Sequence, residues 1–551
     1  MAEPIDEFAE DADPVIIQTS TSPEVGHVWT WAPLCSRPCA FGPEDFSAVM
    51  DNLIYNPNQL SSWLFRADIV YESGKDMGSV SPAPLPVFAG FKLARERVIV
   101  RRMIPRNTLR DKPMLQTCLF YESAEAHDVD DTDSTSHIGS GDEPVRSSLV
   151  IYLPHVDCAA EMPFYHPMVQ GVAFLHQWQS MASTGTLSMH FSFFPPAAIQ
   201  PGLEKKGSHA ILARVALNLL NTVHKHGHGK ASGYVKRVHH DRLVTQARVQ
   251  DRYTYLKEKH ARRLVDSWQE TTDPAKHVFE DLAISAFLME LWADMYGDDS
   301  TDDTTTAATA TVPAKFPGFV DIGCGNGLLV HLLNEEGYHG WGFDARQRRS
   351  WKQYGNDGKI TTDAELPLQQ ALLLPTFLIK HDKDAPVDDV LATHNGTFPR
   401  GTFIIANHAD ELTAWAPVLA ALSDCPFLAI PCCSHNFTGG KFRAPPPSAE
   451  KQAFLSAVSL DASSSSTYAS FVSWVMDVAE DCSWEVEREM LRIPSTRNVG
   501  LLGRRRRRVS DRDSRPFTVD QAWEVINKYG GAYGFADNVA KLSVEGKQAS
   551  H

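Results

Sequence analysis

From residue 316 onward, short apolar runs alternate with amphipathic segments, and the first junction between them is a glycine-rich turn, Asp321-Ile322-Gly323-Cys324-Gly325-Asn326-Gly327. FPGFVDIG reads as a short buried strand, LLVHLLNEEG as a helix ending at Gly337, HGWGFD as a second strand and ARQRRSWKQYG as a second helix. LPTFLI, GTFIIAN and PFLAIP read as further buried strands, with ELTAWAPVLAALS as a helix between the last two. Strands that alternate with helices fold into a mainly parallel, doubly wound α/β sheet, because a parallel crossover needs a helix to return the chain. Such sheets bind ligands at the carboxyl ends of their strands.

The spacing of the turn narrows the ligand. It is G-x-G-x-G, with Leu328 where a dinucleotide-binding turn carries its third glycine. Asp321 stands two residues ahead of Gly323, placed to orient the loop and meet a cationic group. Asp344 ends the next strand, where a carboxylate accepts the hydroxyls of an adenosine ribose. This combination fits S-adenosyl-L-methionine better than a nicotinamide dinucleotide. The rival reading is a glycine-rich loop in some other α/β domain. The expected cofactor-binding residues are Asp321, Gly323, Cys324, Gly325, Asn326, Gly327, Asp344 and Asn407.

The chain has 551 residues and a formal net charge of −16, which at first argues against a nucleic-acid partner. The excess is local. Residues 1–13, 122–143 and 294–303 together carry 19 acids and no Lys or Arg, so the remainder sits near +3. Those segments, with Ser/Thr-rich 298–313, Pro/Ser-rich 443–466 and the polar tail 544–551, are too polar to offset ordering entropy and are expected to be disordered. The expected division is therefore a disordered N-terminus 1–25, a mixed α+β domain 26–269 with an acidic insertion at 122–147, and the α/β domain 270–543.

Nine cysteines without paired metal-ligand spacing suggest a reducing compartment and no metal site. The acidic N-terminus has no apolar core of a signal peptide, and no apolar run reaches 18 residues, so no membrane span is expected.

Upstream, ERVIVRRMI, QTCLFYE, SSLVIYLPHV and LSMHFSFFP are strand-like, and 207–293 is helical in pattern. ILARVALNLLNTVHKHG ends at a glycine stop. A second helix, 275–296, follows Asp273 as N-cap and Pro274 at its first position. Residues 92–112 carry eight Lys/Arg against two acids, and residues 224–263 carry eleven against three. Residues 504–508 are five arginines in a row. Such clusters attract phosphate, and HKHGHGKASGYVKRVHHDR reads as a flexible RNA-facing loop. Arg101, Arg102, Lys236, Arg237, His239, His240, Arg242, Arg504 and Arg505 are the expected RNA contacts. A solvated helix face for 224–263, and a tail or nuclear-localisation patch for the arginine run, remain as alternatives.

FVDIGCGNGLLVHLLNEEGYHGWGFDARQRRSW, NHADELTAWAPVLA, PFLAIPCCSHNF and IPSTRN resemble the tRNA (uracil-2′-O-)-methyltransferase family. RRMIPRN, LPHVDCAAEMPFYHP, HKHGHGKASGYVKRVHHD and DPAKHVFEDLAISAFL extend the likeness over most of residues 85–503. The resemblance implies a class I methyltransferase fold, S-adenosyl-L-methionine as donor and a cytoplasmic setting. It also implies methylation of the ribose of uridine at position forty-four in serine tRNA. A non-catalytic tRNA-binding protein, or a methyltransferase for an RNA base or a protein, are the competing functions.

Methyl transfer to a ribose hydroxyl calls for a group that takes its proton. Two strand-end clusters offer one: Asn407-His408-Ala409-Asp410-Glu411 and Pro431-Cys432-Cys433-Ser434-His435-Asn436. His408 or His435 is the candidate base, and Asp410 the residue to orient it. Alternatively, Asp410 and Glu411 only cap the next helix, and the cysteines are small buried residues.

Overall fold

The computed structural model describes residues 19–21, 28–75, 80–88, 90–107, 110–123, 145–195, 209–234, 241–297, 312–354, 366–379, 392–448, 466–507 and 516–544. The acidic and Ser/Thr-rich insertions, both terminal segments and Lys236, Arg237, His239 and His240 fall largely or wholly outside these residues. The chain divides into two compact units, 1–235 and 236–551.

The first unit is built on one antiparallel sheet. Its strands are β1 (Thr19–Thr21), β2 (Val28–Cys39), β3 (Leu64–Glu72), β4 (Phe91–Pro105), β5 (Met114–Ser123), β6 (Arg146–Pro154), β7 (Gly171–Gln179) and β8 (Thr184–Ser192). Their order is β1-β2-β8-β7-β6-β5-β4-β3. Helices α1 (Pro43–Tyr55) and α2 (His209–Ala231) share a core with Cys118, Phe120, Val150, Tyr152 and Phe174. The alternate residues Leu119, Tyr121, Leu149, Ile151 and Ala173 form a second cluster with Trp29 and Trp31, as period-two alternation requires.

Two expectations fail in this unit. Arg101 is not an RNA contact: it is 2% exposed. Its guanidinium donates to the Leu53 and Ile54 carbonyls at the end of α1 (3.0 and 2.7 Å) and twice to Gln116 (3.0 and 2.6 Å). It therefore satisfies the orphan carbonyls of a helix C-terminus from within the core. Nor is 224–231 a flexible loop, because α2 runs through Gly227 and Gly229. Gly227 is a packing notch: a Cβ there would lie 2.5 Å from the Phe41 ring.

The second unit opens with α3 (Gln246–Asp266) and α4 (Pro274–Tyr296). The division at 235/236 rather than 269/270 follows from their packing. Arg252 and Arg248 on α3 both bond Glu290 on α4, at 2.8 and 2.9 Å, so α3 belongs with the second unit. Asp273 caps α4 as expected, accepting from the Ala275 amide at 2.9 Å. Asp273→Ala should cost about 1 kcal/mol of stability, read as a lowered denaturation midpoint with unchanged slope.

The remaining strands are β9 (Phe319–Ile322), β10 (Gly340–Asp344), β11 (Leu368–Gln370), β12 (Leu372–Leu373), β13 (Thr393–His394), β14 (Phe403–Asn407), β15 (Phe427–Ile430), β16 (Trp484–Met490) and β17 (Val499–Arg506). Seven form a sheet in the order β11-β10-β9-β14-β15-β17-β16. The first five run parallel, and β17 is antiparallel to both neighbours. The helices that follow α4 are α5 (Leu328–Glu335), α6 (Trp351–Tyr354), α7 (Thr376–Ile379), α8 (Trp415–Ser423), α9 (Thr467–Asp481), α10 (Val519–Lys528) and α11 (Phe535–Val544).

The sheet is buried on both faces. Phe319, Phe403, Ile405 and Leu428 pack with α4 and α5. Val320, Ile322, Ile404 and Ala429 pack with α8 to α11. Two local readings change. LPTFLI is not a strand but leads into α7, since a short apolar run cannot distinguish strand from helix. Among the described residues of ARQRRSWKQYG, only Trp351–Tyr354 is helical.

Candidate active site

The carboxyl ends of β9, β10, β14 and β15 share one edge, as their parallel pairing demands. A cavity of about 1080 Å³ opens there. Asp321, Gly323, Cys324, Gly325, Asn326, Asn407, His408 and Asp410 all line it. Gly327 and Asp344 stand behind the wall and shape it. Gly327 has φ +76°, and a Cβ would sit 2.5 Å from Leu368. The Asp344 carboxylate accepts from the Gly325 amide at 3.0 Å and the Arg346 amide at 3.1 Å. The Phe343 carbonyl accepts from the Gly323 and Cys324 amides, at 2.8 and 3.0 Å. The turn is thus tied to β10 from both sides. Gly327→Ala combines strain in the left-handed region with that clash. It should cost about 2 kcal/mol or more and weaken cofactor binding, read by thermal unfolding and calorimetry.

The cavity has one strongly acidic wall. Asp321 is 1% exposed, and its Oδ1 has no hydrogen-bond partner among the described residues. Asp281, on α4, lies beside it and accepts from Asn407 Nδ2 at 3.5 Å. Burial pushes Asp281 up to about 8, and the neighbouring Glu280 charge adds to the effect. Burial, then Asp281 and Asp344, push Asp321 well above the ordinary carboxylate range. Two buried carboxyls that meet no cation, beside an open cavity, make a receptor for a cationic ligand group. An amino-acid ammonium fits this wall, and a nucleoside fits the glycine turn beside Asp344. Asp281 and Glu280 were not expected from the sequence.

The strand-end histidines part company. His408 lines the cavity in the left-handed region (φ +50°), with Nε2 3.1 Å from Glu280 Oε1. Burial would raise Glu280, but the hydrogen bond from His408 and the charges of His408, His277 and Lys276 hold it below its usual range. His435 does not line the cavity: it is 4% exposed, with Nε2 3.7 Å from Glu411 and Nδ1 buried and unpartnered among the described residues. It is therefore corrected from candidate base to a buried packing group.

Asp410 neither orients a histidine nor caps a helix. Its carboxylate accepts from the Cys432 thiol at 2.9 Å. Burial and then Asp410 itself push Cys432 up, so the thiol stays protonated and donates. Cys432 and Cys433 line the cavity half-buried. With Asp410 they place three potential ligand atoms within 4.8 Å of one another.

The expected RNA contacts are dispersed. Arg102 is exposed on β4, opposite Asp68. The Arg242 amide donates to Glu489, which also accepts from the Asp241 and Leu243 amides. Arg504 and Arg505 belong to β17, not to a tail. Arg504 makes two bonds to Glu487, at 2.6 and 2.9 Å, whereas Arg505 keeps most of its side chain in solvent. No helix among the described residues is long and apolar enough to cross a membrane.

Comparison with known proteins points the same way. Residues 7–237 match a family described as the TRM44-like, N-terminal bet v1-like domain, and residues 243–363 match a predicted AdoMet-dependent methyltransferase family. A Neurospora crassa protein named tRNA (uracil-O(2)-)-methyltransferase is 46% identical, covering 98% of this chain and 97% of its own. Proteins of the same name from Schizosaccharomyces pombe (35% identity, 92% and 91% covered) and Aspergillus oryzae (34%, 93% and 90%) are also similar.

Proposed function

The chain belongs to the tRNA (uracil-O(2)-)-methyltransferase family, and we propose from that premise that it methylates the ribose 2′-hydroxyl of a uridine in tRNA. We infer the finer target as position forty-four of serine tRNA and the setting as cytoplasmic, on the motif resemblance. The seven-stranded order, with one antiparallel strand next to the far edge and helices on both faces, supports a class I, doubly wound methyltransferase sheet.

The observation that carries this reading is the buried, unpartnered Oδ1 of Asp321 beside Asp281 at the mouth of the glycine turn; the same carboxyl also takes a backbone hydrogen bond from Asn407. Asp321 and Asp281 would hold the ammonium of S-adenosyl-L-methionine, Gly323 to Gly327 would admit its nucleoside close to backbone, and Asp344 would take its ribose hydroxyls. When bound, the cofactor supplies an electrophilic methyl on a sulfonium. His408 is the proposed base. Ionised Glu280 accepts from Nε2–H and leaves Nδ1 as the basic nitrogen of a ring on the cavity wall. The turn and the strand-end segment together align donor and hydroxyl, which supplies several kcal/mol of the barrier. The N-terminal unit, with exposed Arg102, is proposed to help select the tRNA.

His408→Ala should lower turnover at saturating tRNA by about 100-fold, with S-adenosylhomocysteine affinity changed less than threefold. Turnover near the wild-type value would remove His408 from the chemistry.

A further inference from the structure

The far side of the cavity carries chemistry that cofactor binding does not use. Glu270, Glu280, Asp281 and Asp321 lie on the α4 and β9 side, together with Lys276 and His277, whose charges act on Glu280, and Arg348, which faces Asp344 at 3.8 Å. Across it, beyond the ends of β15 and β17, stand Lys441, Arg443 and Arg497. We propose that these three cations form a phosphate subsite that grips the tRNA backbone next to the nucleotide being methylated. The proposal rests on the methyl-transfer reading above and deepens it.

The geometry is that of a site kept ready for an external anion. The Arg497 guanidinium lies 4.5 Å above the centroid of the Tyr468 ring. Tyr468 is itself fixed, 5% exposed, with its hydroxyl accepting from the Val499 amide at 3.2 Å. The Arg497 amide donates to Ser495 Oγ at 3.2 Å, which sets the turn carrying the arginine. Arg497 therefore rests on an aromatic shelf rather than on a carboxylate, and no acid pairs with Lys441, Arg443 or Arg497 among the described residues. Asp410, the nearby acid on the wall, is occupied by Cys432.

The 15-residue helix α9 starts at the same place. Thr467 and Tyr468 in its first turn line the cavity, and Ser466 caps it by accepting from the Ala469 amide. Unsatisfied amides and the positive end of the helix dipole add to the field of the three side chains.

The substrate's covalent structure makes a phosphate the fitting anion. The 2′-oxygen is vicinal to the 3′-oxygen, so a ribose that presents its 2′-hydroxyl to the methyl donor carries its own 3′-phosphate beside the reacting centre. The cations lie past β15, and the cofactor turn lies at β9 and β10. The hydroxyl would meet the methyl between them, at the end of β14 where His408 stands. Arginine offers the planar fork that matches phosphate, and lysine adds a point charge.

The test compares the full chain with Arg443→Gln, Arg497→Met and the double variant. Each single change should raise the KM for tRNA about 5- to 20-fold and lower the log–log salt slope by about 1. Uridine 3′-monophosphate should inhibit the wild type about tenfold more tightly than uridine, an advantage lost in the double variant. S-adenosylhomocysteine affinity should stay unchanged throughout. A double variant with wild-type KM and salt slope would overturn the proposal. So would Arg497→Lys behaving as badly as Arg497→Met while cofactor affinity also falls, since that marks a structural role. Failure of the wild type to bind S-adenosylhomocysteine would instead sink the methyl-transfer reading itself.

Discussion

Replacing Asp281 by Asn should make the cofactor-free protein more stable and the cofactor complex weaker. Asp281 is 8% exposed, and its carboxyl is pushed up to about 8, from an unfolded value near 4. Folding therefore takes up a proton at this site. The stability it permits is complete below about pH 4 and is lost as pH rises toward 8. Asparagine cannot ionise, so the variant escapes that loss. At pH 8 the gain should be of the order of a few kcal/mol, seen as a midpoint raised by roughly 5 °C or more, and at pH 4 it should vanish. Affinity moves the other way, because a buried counter-charge is lost. S-adenosylhomocysteine should bind about tenfold or more weakly to the variant. Wild-type affinity should strengthen from pH 6.5 to 8.5, as the carboxyl ionises to meet a cation. Equal stability at pH 8 together with unchanged affinity would show that Asp281 belongs to neither balance.

Arg101→Met should be the most damaging single change in the first unit. It removes a buried cation and leaves Gln116 and the carbonyls of Leu53 and Ile54 without donors. Stripping one partner from such a network costs about 3–5 kcal/mol, roughly 10 °C in the transition of that unit. Because every residue lining the cofactor cavity lies in the second unit, S-adenosylhomocysteine affinity should survive wherever the chain stays folded. Unchanged unfolding with weakened tRNA binding would return Arg101 to the RNA-contacting role its charge suggested.

The contrast between these two residues shows what sequence reading can and cannot reach. The glycine turn, Asp344 and the Asp273 cap are local chemistry: each works through neighbours a few residues away, so spacing reveals it. Arg101 was not legible in the same way: both parities of β4 are apolar, with Val98 and Val100 as buried as Ile99 and Met103, so alternation does not separate Arg101 from Arg102. Gly227 carries no local signal that separates a helix stop from a notch for Phe41, since the aromatic comes from far along the chain. Glu280 and Asp281 carry only a faint one, two acids inside the apolar pattern VFEDLAISAFL. Their role appears only when α4 is laid beside the glycine turn, which is a tertiary fact. The same holds for the split between His408 and His435. Both follow a parallel strand, yet only one meets the cavity.

The proposed reaction is tested most directly by incubating the full chain with unmodified serine tRNA and isotope-labelled S-adenosyl-L-methionine, then digesting to nucleosides. The label should appear in 2′-O-methyluridine, and Asp321→Asn should abolish it. Label in a methylated base, or none despite a bound cofactor, would contradict the assignment of this cavity to ribose methylation.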